Sequence, residues 1–280
     1  MSGINSTDFI GSPRQFRLGT TSFIIPDHII PNVKKLGSFF DEIELLVFES
    51  LALDSLPSKG DVKTLLSLSR DLNLTYNIHL PTDVSLSDES SQKRQAAADT
   101  LLKVLDRFAP LNPSTHTLHL EMPRDLRQIS RDQNEIRTWI DFIRDGLCLL
   151  LPGVSDLNTI SVETLDYPLF YIESLIKEFH LSVCLDVGHQ ILYNHNPVQT
   201  FGTHKLRIPL IHLHGVEDSG KGTKDHKALD TLPQDAIMKI IGILETFRGV
   251  VSLEVFNIEN LNRSLVFLSQ YFQDIPSEIK

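Results

Sequence analysis

The sequence predicts a single (β/α)8 barrel of the TIM type, and three observations carry that expectation. Eight short β-rich runs alternate with helix-period runs or crossovers along the chain. The 280 residues are 41% hydrophobic, enough for one large domain with a deep core, and barrels commonly reach this size. No glycine-rich turn follows an early strand, as an open doubly wound sheet would favour.

Residues 1–16 read as a polar N-terminal tail and residues 17–280 as the barrel. Strands are expected at Arg17–Phe23, Glu42–Glu49, Leu74–Pro81 and Thr115–Glu121, then at Thr159–Asp166, Leu181–His189, Ile208–Gly215 and Val250–Asn257. Between them, Ser91–Phe108 sets Ala97, Leu101, Leu105 and Phe108 on one helical face. Gln133–Leu151 and Pro233–Phe247 repeat that pattern, the latter with its proline in the first turn.

Formal net charge is −10 with no basic cluster, so a nucleic-acid partner is not expected. A small anion can still be held where bound metal overrides the field. There is no leader-like apolar segment, and no apolar run nears the ~18 residues of a membrane span, so a cytoplasmic location with no membrane partner is expected. Cys148 and Cys184 fall in apolar segments and read as core thiols of a reducing compartment.

Strand parity then locates the polar residues, because alternate side chains face the barrel interior. His79 shares a face with Asn77, His119 with Thr117 and Glu121, Glu163 with Ser161, and Asp186 with Cys184. His212 shares a face with His214, and Glu254 with Ser252. The third to eighth strands thus each carry a metal-capable side chain near the C-terminal end, where barrel active sites are built. A single strand histidine is ordinarily a core residue satisfied by a carbonyl; six consecutive strands behaving alike is the informative pattern. No lysine or arginine occupies these positions, and burying Glu163, Asp186 and Glu254 without a cation costs several kcal/mol per charge. Bound divalent metal resolves the conflict.

In "SVCLDVGHQ", Asp186 and His189 admit two readings, a loop capping itself or two arms of a metal site. Gly188 is expected to turn the chain so that His189 swings back over the strand mouth. His226 in the polar segment "TKDHKALD", with Asp225 beside it, completes the candidate ligand set. His214, one inward position beyond His212, is either a supporting or substrate-contacting residue or a hydrogen-bonded rim histidine. Glu49 shares the face of Ile43, Leu45 and Val47 and is set aside; Tyr76 and Trp139 read as core.

Glutamate on the fifth strand, Asp-x-x-His on the sixth, His-Leu-His on the seventh and glutamate on the eighth resemble the xylose isomerase-like barrels. That superfamily joins sugar isomerases and epimerases to endonuclease IV-type phosphodiesterases, and the resemblance spans about Arg17 to Phe272. It implies a metal quartet at Glu163, Asp186, His212 and Glu254, to which endonuclease IV-type enzymes add histidines that fall on His79, His119, His189 and His226. Two positions depart from that type. The chain has "HLHG" where His-Leu-Asn-Asp is usual, and Lys224 where that type has an aspartate two positions before the loop histidine, so Asp225 substitutes or the third site is weak or empty. The segments "RLGTTSFIIPDHIIPNV", "FDEIELLVFES" and "LTYNIHLP" resemble the cobamide-remodelling (CbiR-type) phosphodiesterases.

What these resemblances imply is a metal-dependent hydrolase cleaving a phosphoester in the nucleotide loop of a cobamide, with a corrinoid as its small-molecule partner. His79 and His119 with bridging Glu163 would hold one divalent ion; Glu163, Asp186, His212 and Glu254 a second; His189 and His226, with or without Asp225, a third. Glu163, Glu254 and His214 are the candidate catalytic residues. Zinc or manganese suits the mixed donors, with iron and cobalt also possible. The alternatives are a divalent-metal sugar isomerase or epimerase using Glu163 and Glu254 as acid and base, an endonuclease IV-like enzyme, and a non-catalytic corrinoid- or sugar-binding barrel.

Overall fold

The structure is a computed structural model that describes residues 11–47, 56–123, 126, 133–218, 220, 222–276 and 278–280. Eight parallel strands close into a barrel: β1 (Arg17–Thr21), β2 (Glu42–Leu46), β3 (Thr75–His79), β4 (His116–Leu118), β5 (Ile160–Glu163), β6 (Ser182–Asp186), β7 (Leu210–Leu213) and β8 (Val250–Leu253). β8 returns to β1 in register from Val250 opposite Arg17 to Leu253 opposite Thr20, which closes the ring. The crossovers carry α1 (Ile29–Leu36), α2 (Lys59–Leu72), α3 (Ser91–Phe108), α4 (Gln133–Leu150), α5 (Glu173–Glu178), α6 (Val187–Leu192), α7 (Pro197–His204), α8 (Gln234–Leu244) and α9 (Ile258–Leu268).

Local signals account for many boundaries. Ser58 and Asp61 form a reciprocal capping box at α2, which ends at Asn73 in the left-handed conformation. Asn196 caps α7, whose first residue is Pro197, and Asn257 caps α9. α3 has the expected bounds and buries Ala97, Leu101, Leu105 and Phe108. α8 starts one residue later than the sequence suggests, because Pro233 is the extended residue before it. The barrel strands are shorter than the β-rich runs that announced them, and the surplus residues at their C-terminal ends build the mouth.

The main core lies between barrel and helices. Tyr76 and Trp139 belong to it, their polar ends donating to the carbonyls of Leu65 at 2.9 Å and Glu121 at 3.1 Å. Inside the barrel, Cys184, Leu210 and Val250 form a small apolar plug. The buried carboxylate of Glu42 accepts from Asn77 at 2.8 Å and Ser114 at 2.6 Å and pairs with Arg17 at 3.2 Å.

Two expectations change. The supposed tail is part of the fold from Gly11 onward: Ser12–Pro13 pairs in parallel with Phe272–Gln273, and Phe16 meets Phe272 edge to face at 5.3 Å. Polar neighbours mask Phe16 in the sequence. Cys148 is exposed, because α4 buries the stripe of Ile136, Trp139, Ile143, Leu147 and Leu150, and position 148 lies outside it; Cys184 is buried as expected. Glu49 lies outside the described residues. No described helix is long and apolar enough to cross a membrane.

Phe16→Ala should cost about 3 kcal/mol or more in urea unfolding, the ordinary penalty for a truncated core aromatic. A loss below about 0.5 kcal/mol, typical of a surface site, would return residues 11–16 to the status of a tail.

Candidate metal centre

The strand ends deliver the ligand-capable side chains to one place. His79, Glu163 and Asp186 are the last residues of β3, β5 and β6; His119 and Glu254 follow β4 and β8 directly. His212 lies within β7, directly opposite Asp186 in the ladder. Glu163, Asp186, His212 and Glu254 are all buried.

Glu163 is the hub. Its Oε2 lies 2.9 Å from His119 Nε2, 3.4 Å from His79 Nε2 and 3.5 Å from His212 Nδ1, while Oε1 lies 3.2 Å from His189 Nδ1. Glu254 Oε2 is 3.2 Å from His212 Nδ1 and 3.6 Å from His226 Nε2. Several of these gaps match the edge of a tetrahedron whose corners lie about 2.0–2.2 Å from a metal. His189 Nδ1, His212 Nδ1 and Glu254 Oε2 are buried and lie 3.2 Å from facing donor or acceptor atoms without forming a hydrogen bond of good geometry, so they converge on a shared space. The donor atoms of His79, His119 and Glu163 fall within 4.8 Å of each other, as do those of Glu163, Asp186, His212 and Glu254. These donor sets fit divalent ions.

The opposite ring nitrogens are held from outside. His79 Nδ1 lies 3.0 Å from the Leu80 carbonyl, and His212 Nε2 lies 2.9 Å from Glu44 Oε1. Glu44 also accepts from Ser252 Oγ at 2.7 Å. Outer partners of this kind place the proton on the far nitrogen and leave the near one free to ligate. Glu44 is absent from the sequence-based set. It has the inward parity of Glu42, but sits mid-strand, one layer below the strand ends where ligands were sought.

Asp225 plays the same orienting part. Its Oδ1 lies 3.1 Å from His226 Nδ1, and it joins none of the convergent donor groups found among the described residues, a position from which it holds His226. The short hairpin of Gly215–Asp218 and Thr223–Lys227 has a register irregularity between Lys224 and Lys227. His226 takes a left-handed φ of 51° there, an uncommon conformation for a side-chain-bearing residue, with Nε2 facing Glu254.

The capping reading of "SVCLDVGHQ" holds, and the same two side chains also lie among the convergent donors. Asp186 caps α6 by accepting the His189 backbone N–H at 2.7 Å, while its other oxygen lies 3.2 Å from His189 Nδ1. Gly188 corrects an expectation. It sits inside α6 without a left-handed φ, so it is not a turn. A Cβ there would lie 2.0 Å from the His214 ring, and the glycine is needed to make room for that imidazole. His214 itself is fully buried, with Nε2 3.2 Å from Asp186.

The xylose isomerase-like TIM barrel profile matches residues 30–271. The chain belongs to that family. No curated protein matches it significantly. Among solved structures, this xylose isomerase-like barrel is similar to a D-tagatose 3-epimerase-like protein at 18% identity, covering 91% of this chain and 96% of that one with a TM-score of 0.69. A 3-keto-D-glucoside 4-epimerase from E. coli gives 14% identity, 90% and 98% coverage and 0.67. D-psicose 3-epimerase from Clostridium cellulolyticum H10 gives 15%, 92% and 91%, and 0.61. At such identities the likeness concerns the fold.

Electrostatics of the barrel mouth follow from the hub. Burial pulls the His119 imidazole down, but the adjacent Glu163 charge outweighs it and raises His119 to about 10. Burial likewise opposes, and Asp186 and Glu163 reverse, the shift of His189 to about 9. His226 reaches about 10 because the Asp225 and Glu254 contacts overcome its burial. Burial raises Glu163, but the facing His119 and His212 hold it well below the usual carboxylate range. Without metal, protons on these imidazoles balance the carboxylates, and a divalent ion must displace them.

Zinc binding should therefore release protons and tighten as pH rises from about 6 toward 9. Calorimetric titration in buffers of different ionisation heat reads the release directly. A heat independent of buffer would contradict the exchange.

Proposed function

We propose that this barrel hydrolyses a phosphoester with two or three divalent ions, and that its substrate is a cobamide cleaved in the nucleotide loop. The products would be cobinamide phosphate and an α-riboside. The observation that carries the multi-ion reading is Glu163, which presents its two oxygens to imidazoles from four separate segments. His79, His119 and Glu163 would hold one ion, and Glu163, Asp186, His212 and Glu254 a second, with His189 and His226 available to a third.

Divalent ions held there would supply Lewis acidity to a phosphoester and ease the ionisation of water. The protein's own part is charge balance and orientation. Two ions would set four positive charges against the carboxylates of Glu163, Asp186 and Glu254, with Glu44 and Asp225 behind the imidazoles, and so neutralise a cluster that would otherwise repel an anionic phosphate. Glu44 and Asp225 keep their imidazoles turned inward. Beside the centre, Phe256 stacks on His226 at 4.7 Å and meets the half-exposed Phe23 at 6.4 Å, an apolar shelf suited to a bulky substrate. The corrinoid assignment rests on the resemblance of the N-terminal half, and the phosphoester on the additional histidines.

A second reading is supported by the quartet of Glu163, Asp186, His212 and Glu254 and by the epimerase names of the similar structures. One ion would then serve a sugar isomerase or epimerase, with Glu163 and Glu254 as acid and base.

Metal-loaded protein incubated with a cobamide, a ketohexose panel and an abasic-site duplex separates these readings by product analysis. Cobinamide phosphate is the expected product; an intact cobamide beside an equilibrated ketose would select the isomerase. Glu163→Gln should lose more than one metal equivalent and over about 100-fold in activity, beyond the 10–100-fold that outer partners alone can cost. Retained metal and turnover would remove Glu163 from the bridging role.

A further inference from the structure

His189, His214 and His226 bring donor atoms within 4.8 Å, and three imidazoles round one point resemble a metal site with an open position. The hydrogen bonds of His214 argue otherwise. The His226 backbone N–H donates to His214 Nδ1 at 3.0 Å. A backbone amide can only donate, so Nδ1 presents its lone pair and the neutral ring carries its proton on Nε2. The Gly215 carbonyl lies 3.1 Å from Nδ1, but with the amide hydrogen there it receives no proton from the ring. Nε2 lies 3.2 Å and 3.3 Å from the two Asp186 oxygens, where an N–H finds its acceptor. Both His214 nitrogens thus have partners, whereas the inward nitrogens of His189 and His212 have none.

We infer that His214 is a positioning residue and not a ligand: a strut that fastens the His226 hairpin to Asp186, seated in a socket that only Gly188 leaves open. The ring is fully buried and cannot swing away from an added methyl group, since a Cβ on Gly188 would lie 2.0–2.4 Å from its atoms. The strut fixes Asp186 and His226, which approach Glu254 and its neighbours from different segments, relative to each other. Its effect on metal rests on the proposed centre; its hydrogen bonding does not.

The test uses the full chain with 15N-labelled histidine, observed by NMR with and without zinc. His214 should show the Nε2-protonated tautomer in both states. A proton on Nδ1 with zinc-shifted Nε2 would overturn the strut while leaving the centre intact. Failure to take up zinc would overturn the centre, and the tautomer in the zinc-free protein would still decide the strut. In zinc titrations, His214→Ala should weaken binding about 10–100-fold, the usual cost of losing a ligand's outer partner. Gly188→Ala should do the same by displacing the ring. The double variant should be no weaker than His214→Ala, because the ring that clashed is gone; losses that multiply would overturn the socket. His214→Gln, whose amide restores a donor toward Asp186, should recover most of the affinity, and no recovery would count against the hydrogen bond.

Discussion

The buried carboxylate of Glu163 organises the barrel mouth. It closes β5, lies at the level where six strands deliver polar side chains, and faces imidazoles from β3, β7, the segment after β4, and α6. A single ionised carboxylate in such a place needs compensation, and Asp186 and Glu254 increase the need. Protons on the imidazoles meet it when metal is absent, and divalent ions meet it when metal is present. Much of the local architecture keeps that exchange possible: Glu44 behind His212, the Leu80 carbonyl behind His79, and Asp225 behind His226.

The barrel contains its own control for this reasoning. Glu42 is also inward-facing and buried, but Arg17 pairs with it and Asn77 and Ser114 donate to it, so it is a structural charge in a closed network. Among the described residues no lysine or arginine pairs with the carboxylate cluster of the mouth, and some of its donor atoms remain unpartnered. Two layers of one barrel thus solve the same desolvation problem in different ways. The lower uses a guanidinium and hydrogen bonds, and the upper leaves room for exchangeable cations.

Much of this was legible in the sequence because both the fold and the ligand ring obey period-two and β/α rhythms. His79, His119, Glu163, Asp186, His212 and Glu254 could be placed by strand parity alone. What parity could not convey was the direction of residues beyond the strands. Asp225 and His226 are adjacent in a hairpin, and only the left-handed backbone at His226 decides which faces Glu254. Gly188 looked like a turn because its steric partner, His214, is 26 positions away in sequence. Phe16 was hidden by its polar surroundings, and Glu44 by its place one layer down.

The number and position of bound ions test the central claim most directly. Anomalous scattering at the zinc edge, from crystals of the zinc-loaded protein, should reveal at least two ions sharing Glu163, one with His79 and His119 and one with Asp186, His212 and Glu254. A single ion on the latter quartet, with His79 and His119 hydrogen-bonded to Glu163 and metal-free, would contradict the multi-ion centre.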